Sequence, residues 1–395
     1  MGNRTVTDHR QPSPDPGSKL PDVGVTIFTR MSQLAAEHGA LNLSQGFPDF
    51  DGPPALLSAV EHHLRHGANQ YAPMTGVPAL RAQIARKVQH CYGLAANPET
   101  EITVTSGATE ALFCAITALV RPGDEVIVFD PVYDSYEPAI RLAGGHTRRL
   151  ALPAPGFRPD WQQVRDALND RTRLIITNTP HNPTGSVWQP EDFAELKHLI
   201  LNSSAFVLAD EVYEHIIFDG AEHQSLLRDP DLYSRALVVS SFGKTYHTTG
   251  WKIGYCVAPP NLTRELRRVH QYVTFCSNTP VQLGLSDFMA EDPEFALRLG
   301  TFYQRKRDLF CQLLANSRFR FTPAGGTYFQ LLDYSAISDE HDEDLAQRLT
   351  IEHGIASIPV SVFQAEPAPD QRLLRFCFAK DDDTLHRAAE ILCRL

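Results

Sequence analysis

No stretch of this sequence reaches the roughly 18–20 consecutive apolar residues that a membrane-spanning helix needs. Met1–Asp8 carries none of the apolar run that a secretory signal requires. Cysteine is sparse and unpatterned: Cys91, Cys114, Cys256, Cys276, Cys311, Cys377 and Cys393 are odd in number and include no C-x-x-C pair. Such a set argues against a disulfide framework or a zinc knuckle and suits a reducing cytosol, so a cytoplasmic location is expected. Basic charge is short as well. The 36 Lys and Arg stand against 47 Asp and Glu, a formal net charge of −11. That disfavours a general nucleic-acid binder, which needs a basic face, but leaves room for a small basic pocket. No two glycines are separated by one residue, so G-x-G-x-x-G is absent, as are G-x-x-x-x-G-K-[ST], G-x-S-x-G and H-E-x-x-H. His62 and His66 share a helical face without an evident third ligand and read as a solvated surface, so no metal is expected.

What is present is an ordinary globular composition. The 395 residues are 43% hydrophobic, enough for a large core and, at this length, for two domains. Residues 1–22 are rich in Pro, Asp, Ser and Arg and read as a loose arm. Further on, Ile102–Thr105, Glu125–Phe129, Leu174–Thr177, Phe206–Ala209 and Ala236–Val239 are short apolar runs bounded by turn residues. They alternate with helix-like stretches such as Glu110–Val120 and Asp192–Leu201, a rhythm that predicts an α/β fold around a buried, mostly parallel sheet. From about residue 290 the rhythm changes. A long helical stretch, Pro293–Leu314, precedes strand patterns at Phe319–Phe321, Thr327–Asp333 and Leu373–Phe378, an acidic helix start at Ser338–Asp344 and a last helix from Asp382. This predicts a smaller α+β domain.

Ligands of open α/β sheets bind beyond the carboxyl ends of the strands. After Ile102–Thr105 come Ser106, Gly107, Ala108 and Thr109, small residues that suit an anion at a helix N-terminus or, equally, close packing. After Leu174–Thr177 comes N-T-P-H-N-P-T-G; after Phe206–Ala209 come Asp210, Glu211 and Tyr213; after Ala236–Val239 comes S-S-F-G-K-T-Y-H-T-T-G-W-K. Polar groups at three successive strand ends favour one shared site over mere solvent exposure. Lys244 within it is a candidate for a lowered pKa and covalent carbonyl chemistry. Arg375, in the apolar pattern L-L-R-F-C-F, is suited either to a structural ion pair or to a bidentate carboxylate clamp.

The stretch Ser240–Gly254 resembles the cofactor-lysine region of class I/II aminotransferases, the fold type I pyridoxal-phosphate enzymes. Ala40–Asp51, Asn69–Tyr71, Asp130–Pro138, Asn178–Gly185, Asp210–Tyr213 and Arg375–Lys380 match in order, so the resemblance runs from Thr26 to Leu395. Within the family the chain looks most similar to the bacterial methionine aminotransferases and the kynurenine aminotransferase/cysteine-conjugate β-lyase group. The resemblance implies a large domain, residues 51–289, holding pyridoxal 5′-phosphate. Residues 26–50 and 290–395 would form the small domain, with 1–25 as the arm. It implies that Lys244 bonds the cofactor and shuttles a proton, and that Asp210 pairs with the pyridinium nitrogen. Asn182 and Tyr213 would bond the phenolic oxygen, and Tyr133 would stack on the ring. Ala108, Thr109, Ser241 and Lys252 would hold the phosphate, with Lys252 standing where many relatives have arginine. Arg375, Gly46 and Asn182 would take the substrate carboxylate, and Tyr71 would reach into the neighbouring subunit of a homodimer.

The reaction implied is ping-pong transfer of the α-amino group of L-methionine, and of aromatic or related L-amino acids, to a 2-oxo acid. Phe28, Tyr272 and Phe275 are candidates for the side-chain pocket or, as readily, for core packing. Gln271–Leu297 contains no Lys or Arg, so a second arginine for dicarboxylates is not expected there. A β-lyase on the same scaffold would use the same Lys244 and Asp210 but release ammonia and a thiol.

Overall fold

The computed structural model describes residues 15–395. Most of the arm, residues 1–14, lies outside the described residues. Residues 15–25 form no helix or strand, yet they are pinned: Arg141 donates to both Asp22 carboxylate oxygens at 2.6 and 2.8 Å. In chain order the strands are β1 (Leu41–Asn42), β2 (Ile102–Thr105), β3 (Glu125–Asp130), β4 (His146–Ala151), β5 (Thr172–Asn178) and β6 (Phe206–Asp210). There follow β7 (Ala236–Ser241), β8 (Gly254–Val257), β9 (Phe329–Asp333), β10 (Ile355–Ala356), β11 (Ile358–Pro359) and β12 (Leu373–Cys377).

Seven of these form one sheet in the order β2-β8-β7-β6-β5-β3-β4. Every neighbouring pair is parallel except those made by β8, which runs antiparallel to both β2 and β7. The apolar runs are continuous because both faces of this sheet are covered. Ile127, Ile175, Val207 and Val238 enter one core with Leu80 and Ile84 of helix Pro78–Tyr92 and Leu285 of helix Thr279–Glu291. Their chain neighbours Val126, Leu174, Leu208 and Leu237 enter another with Leu112 and Ile116 of helix Gly107–Leu119 and Leu266 of helix Pro260–Val273. Each such side chain removed from water contributes about 1.5–3 kcal/mol. The predicted mostly parallel sheet is therefore observed.

The second, smaller sheet is antiparallel, in the order β11-β12-β9, and β1 pairs with β10 beside it. Its core joins Ile27, Met31 and Leu43 to residues between Leu299 and Leu392, with Tyr213, Ile216 and Phe218 packed in from the segment after β6. Several expectations need correction here. Phe319–Phe321 is no strand but a single bridge, Arg320 to Asp333, since Pro323 follows and cannot continue a ladder. Leu299–Leu313 is the α-helix of the long stretch, preceded by a 3-10 turn at Ala296–Arg298. The acidic helix starts at Asp342, capped by His341.

Candidate active site

Five parallel strands, β2, β3, β5, β6 and β7, end on one cavity, lined by Gly107, Thr109, Tyr133, Asn182, Asp210, Tyr213, Ser241, Lys244 and Lys252. Asp210 closes β6, opposite Asn178 of β5, and Asn178 Nδ2 donates to the Asp210 carbonyl at 3.0 Å. Asn178 Oδ1 also accepts from the Asn182 backbone N–H at 2.9 Å, so one asparagine joins two strand ends. The turn after Asp210 divides its side chains. Asp210 and Tyr213 line the cavity, whereas Glu211 bonds His223 at 2.9 Å and Glu214 bonds Lys87 at 2.5 Å behind it.

The Asp210 carboxylate is buried and accepts a 2.6 Å hydrogen bond from Tyr136 Oη. Burial pushes its pKa up to about 6 despite that bond. Lys244 sits in the one-turn helix Phe242–Thr245 directly after β7. Its Nζ donates to the Gly46 carbonyl at 3.0 Å and lies 5.6 Å from the centre of the Tyr213 ring. Burial, together with the nearby Lys252 and Arg375 cations, lowers its pKa to about 8. The cavity thus combines a carboxyl shifted upward and an amine shifted downward, the tuning that acid–base sites require.

At one end lies an anion cup. Gly107 has φ +80°, which a side chain rarely adopts, and a Cβ there would meet Lys252 Cε at 3.2 Å. Lys252 itself has φ +54°, and this turn lays its side chain over the start of helix Gly107–Leu119. Gly254 of β8 lies beneath; a Cβ there would fall 2.7 Å from the Ala108 backbone nitrogen. Ala108 and Thr109 occupy the first helical turn, where amide N–H groups lack intrahelical acceptors. Those donors, Ser241 and the Lys252 ammonium suit a phosphate, and the cup closes to any side chain at Gly107 or Gly254.

At the other end Arg375 is fully buried. It donates to Asn182 Oδ1 at 2.7 Å and to the Ser44 carbonyl at 2.8 Å, and its Nε has no partner among the described residues. The guanidinium carbon stands 3.9 Å from the Phe329 ring centre, 5.2 Å from Phe28 and 5.8 Å from Phe363. Burial lowers its pKa to about 10, so it stays a cation at neutral pH. A buried guanidinium with an unused donor, among aromatic walls and without a carboxylate bonded to it, is prepared for a small anionic ligand.

Phe28 therefore sits beside Arg375. Gly46 packs under Phe329, with room for no Cβ (2.7 Å), and its carbonyl also accepts from Tyr328 Oη at 2.6 Å. Tyr71, Tyr272 and Phe275 are elsewhere in the chain's own surface: Tyr71 and Tyr272 are each 85% exposed, and Tyr71 meets Phe275 edge-on at 5.7 Å. Sequence reasoning missed Tyr136, Asn178, Tyr328 and Phe329. Tyr136 offered a signal, three residues past Tyr133 in a polar turn, but its pairing with Asp210 spans 74 positions and has no local pattern.

Comparison with known proteins gives a consistent result. The family model for aminotransferase class I and II matches residues 39–392. The methionine aminotransferase of Escherichia coli is 57% identical over 380 residues, covering 96% of this chain and 98% of that protein. The crystal structure of YbdL from Escherichia coli, described with a methionine aminotransferase function, superposes with a TM-score of 0.95 at 57% identity, covering 97% of this chain and 100% of that one. A kynurenine–oxoglutarate transaminase of Dictyostelium discoideum is 32% identical, covering 96% of each chain.

Proposed function

Because the chain belongs to the class I and II aminotransferases, and is thus a transferase of amino groups, we propose that it binds pyridoxal 5′-phosphate at Lys244. Its reaction moves the α-amino group of L-methionine, and of aromatic or related L-amino acids, to a 2-oxo acid in two half-reactions. The observation that carries this reading is the cavity itself: an amine with pKa lowered to about 8 between an anion cup and a buried arginine.

When bound, the cofactor supplies an electron sink for charge released at the substrate Cα. Ala108, Thr109, Ser241 and Lys252 hold its phosphate, and Tyr133 covers its ring. Asp210 keeps the ring nitrogen protonated, held in place by Tyr136 at 2.6 Å. Asn182 and Tyr213 bond the ring oxygen. Arg375, which bonds the cavity residue Asn182, takes the substrate carboxylate, with the Gly46 backbone and Asn182 alongside. Lys244, freed once the substrate amine takes its place on the cofactor, would move the proton between the substrate Cα and C4′ of the cofactor.

The preference for methionine is supported by the Escherichia coli relative's activity and by aromatic walls at Phe28, Phe329 and Phe363. Rings of this kind favour a thioether. Apolar pockets separate similar side chains by only about 1–3 kcal/mol, so aromatic and related amino acids also react; Phe275, exposed beside Tyr71, would add to the pocket of the partner subunit. The exposed Tyr71 supports a homodimer in which each subunit's tyrosine completes the neighbour's phosphate site. We assign the protein to the cytoplasm, with residues 26–50 and 290–395 as the small domain, 51–289 as the large one and 1–25 as an arm.

The test is a product assay with L-methionine and a 2-oxo acid acceptor. Transfer gives the keto acid of methionine and the new amino acid in equal amounts. Ammonia and methanethiol in their place would make the protein a lyase and overturn the proposal.

A further inference from the structure

The buried pair Glu110–His270 has no part in the reaction as described, yet it reaches from the turn at the anion cup to the backbone near Tyr71. His270 stands in the last turn of helix Pro260–Val273 and is fully buried. Its Nδ1 lies 2.5 Å from Glu110 Oε1 and its Nε2 lies 2.8 Å from the Met74 carbonyl. The ring thus bridges the Glu110 carboxyl and the Met74 carbonyl. The other Glu110 oxygen, Oε2, accepts the Ser106 backbone N–H at 2.5 Å. Glu110 thereby fixes the turn that opens helix Gly107–Leu119, the floor of the anion cup. Cys114 Sγ is 3.9 Å from Glu110 Oε1, but the Glu110–His270 hydrogen bond leaves no space for an ion, whose ligands stand about 2 Å from it.

Met74 is three residues beyond Tyr71, in a stretch from Gln70 to Val77 that contains no helix or strand. Side chains from the same part of the chain as His270 hold this stretch at two further points. Thr279 Oγ1 donates to the Gln70 carbonyl at 2.6 Å, and Gln282 Oε1 accepts from the Val77 N–H at 2.8 Å. Ser277 Oγ, between them, lies 2.9 Å from Ser106 Oγ at the cup. One segment thus grips the cup of its own subunit and the backbone that carries Tyr71.

We propose that Glu110 and His270 are positioning residues that couple the two, so that a subunit's own anion cup and the tyrosine it extends to its neighbour are set in register. This rests on the reading that pyridoxal 5′-phosphate occupies the cup and that Tyr71 serves the partner subunit. The full-length chain is titrated with pyridoxal 5′-phosphate and, separately, with pyridoxal, followed by absorbance. E110A and H270A each weaken the phosphorylated ligand about tenfold and leave pyridoxal nearly unchanged, and the double variant is no weaker than the worse single one. H270Q, which keeps a buried donor and loses one of the two bonds, shows the same selectivity if H270A folds poorly.

Hybrid dimers with one competent site then separate the two directions. An H270Q chain beside a K244A chain reports the cup; an otherwise unaltered chain beside a K244A/H270Q chain reports the extended tyrosine. Both hybrids lose selectivity for the phosphorylated ligand. Equal loss of both ligands, multiplicative losses in the double variant, or an effect confined to the first hybrid would overturn the coupling. An unaltered chain that takes up neither ligand would overturn the cofactor reading beneath it.

Discussion

Lys244 and Asp210 place two opposed, shifted titrations in one cavity, and their signs make a stability prediction. The Lys244 pKa falls from its ordinary 10.5 to about 8, so between those values the unfolded chain binds more protons and stability rises with pH. The Asp210 pKa rises from 3.8 to about 6, so between those values the folded chain binds more protons and stability falls as pH climbs. Together they give the cofactor-free protein a trough between about pH 6 and 8, where both buried charges are present. Thermal melts across pH should show K244M filling that trough, by removing the buried ammonium, while the unaltered protein keeps it. Parallel curves for the two proteins would contradict the assignment. Lys244, Asp210 and Arg375 stood out in the sequence because each follows or interrupts an apolar run, whereas Asn182 and Tyr213 were singled out by the resemblance. Tyr136, Tyr328 and Phe329 were not legible there, since their bonds to Asp210 and Gly46 and the stacking on Arg375 arise only when distant segments meet.

The strand-to-helix turn Thr105–Gly107 and strand β8 act together, because β8 passes directly under the cup. In G254A the new methyl would stand 2.7 Å from the Ala108 nitrogen and 2.8 Å from the Gly107 carbonyl carbon. Neither is a flexible side chain, so backbone must move. Urea unfolding should show a loss of about 1–3 kcal/mol, with cofactor affinity falling in parallel; an unchanged midpoint and affinity would show that the cup is looser than described. Elements differed in how legible they were. Strands β2, β3, β5, β6 and β7 were plain from sequence as short apolar runs, because both their faces are buried. Edge strand β4 (H-T-R-R-L-A) was not, since half its surface meets water and Arg149 spends its charge on Glu137. Strand β8 escaped notice because it returns antiparallel after the Lys252 turn, without the helix that marks its neighbours.

At the scale of the whole molecule the proposed reaction calls for two copies, since Tyr71 is exposed and does not line the cavity of its own chain. Chains carrying K244A and chains carrying Y71A should each be inactive or nearly so, while a refolded equal mixture should recover about a quarter of the unaltered activity. Half the dimers are then hybrids, and each hybrid has one intact site by two-fold symmetry. Activity no greater than the sum of the separate chains would contradict the shared site. The rhythm of the sequence pointed to two domains, and only the resemblance, not the residue pattern, put 26–50 with 290–395; in the structure Ile27, Met31 and Leu43 share a core with residues between Leu299 and Leu392. The most direct measurement is the absorbance spectrum of the purified, cofactor-loaded protein before and after L-methionine is added alone. The account predicts a visible band that disappears as one equivalent of the 2-oxo acid forms per site, with no ammonia released, and no such band in K244A. A visible band that survives methionine, or one that K244A retains, would contradict it.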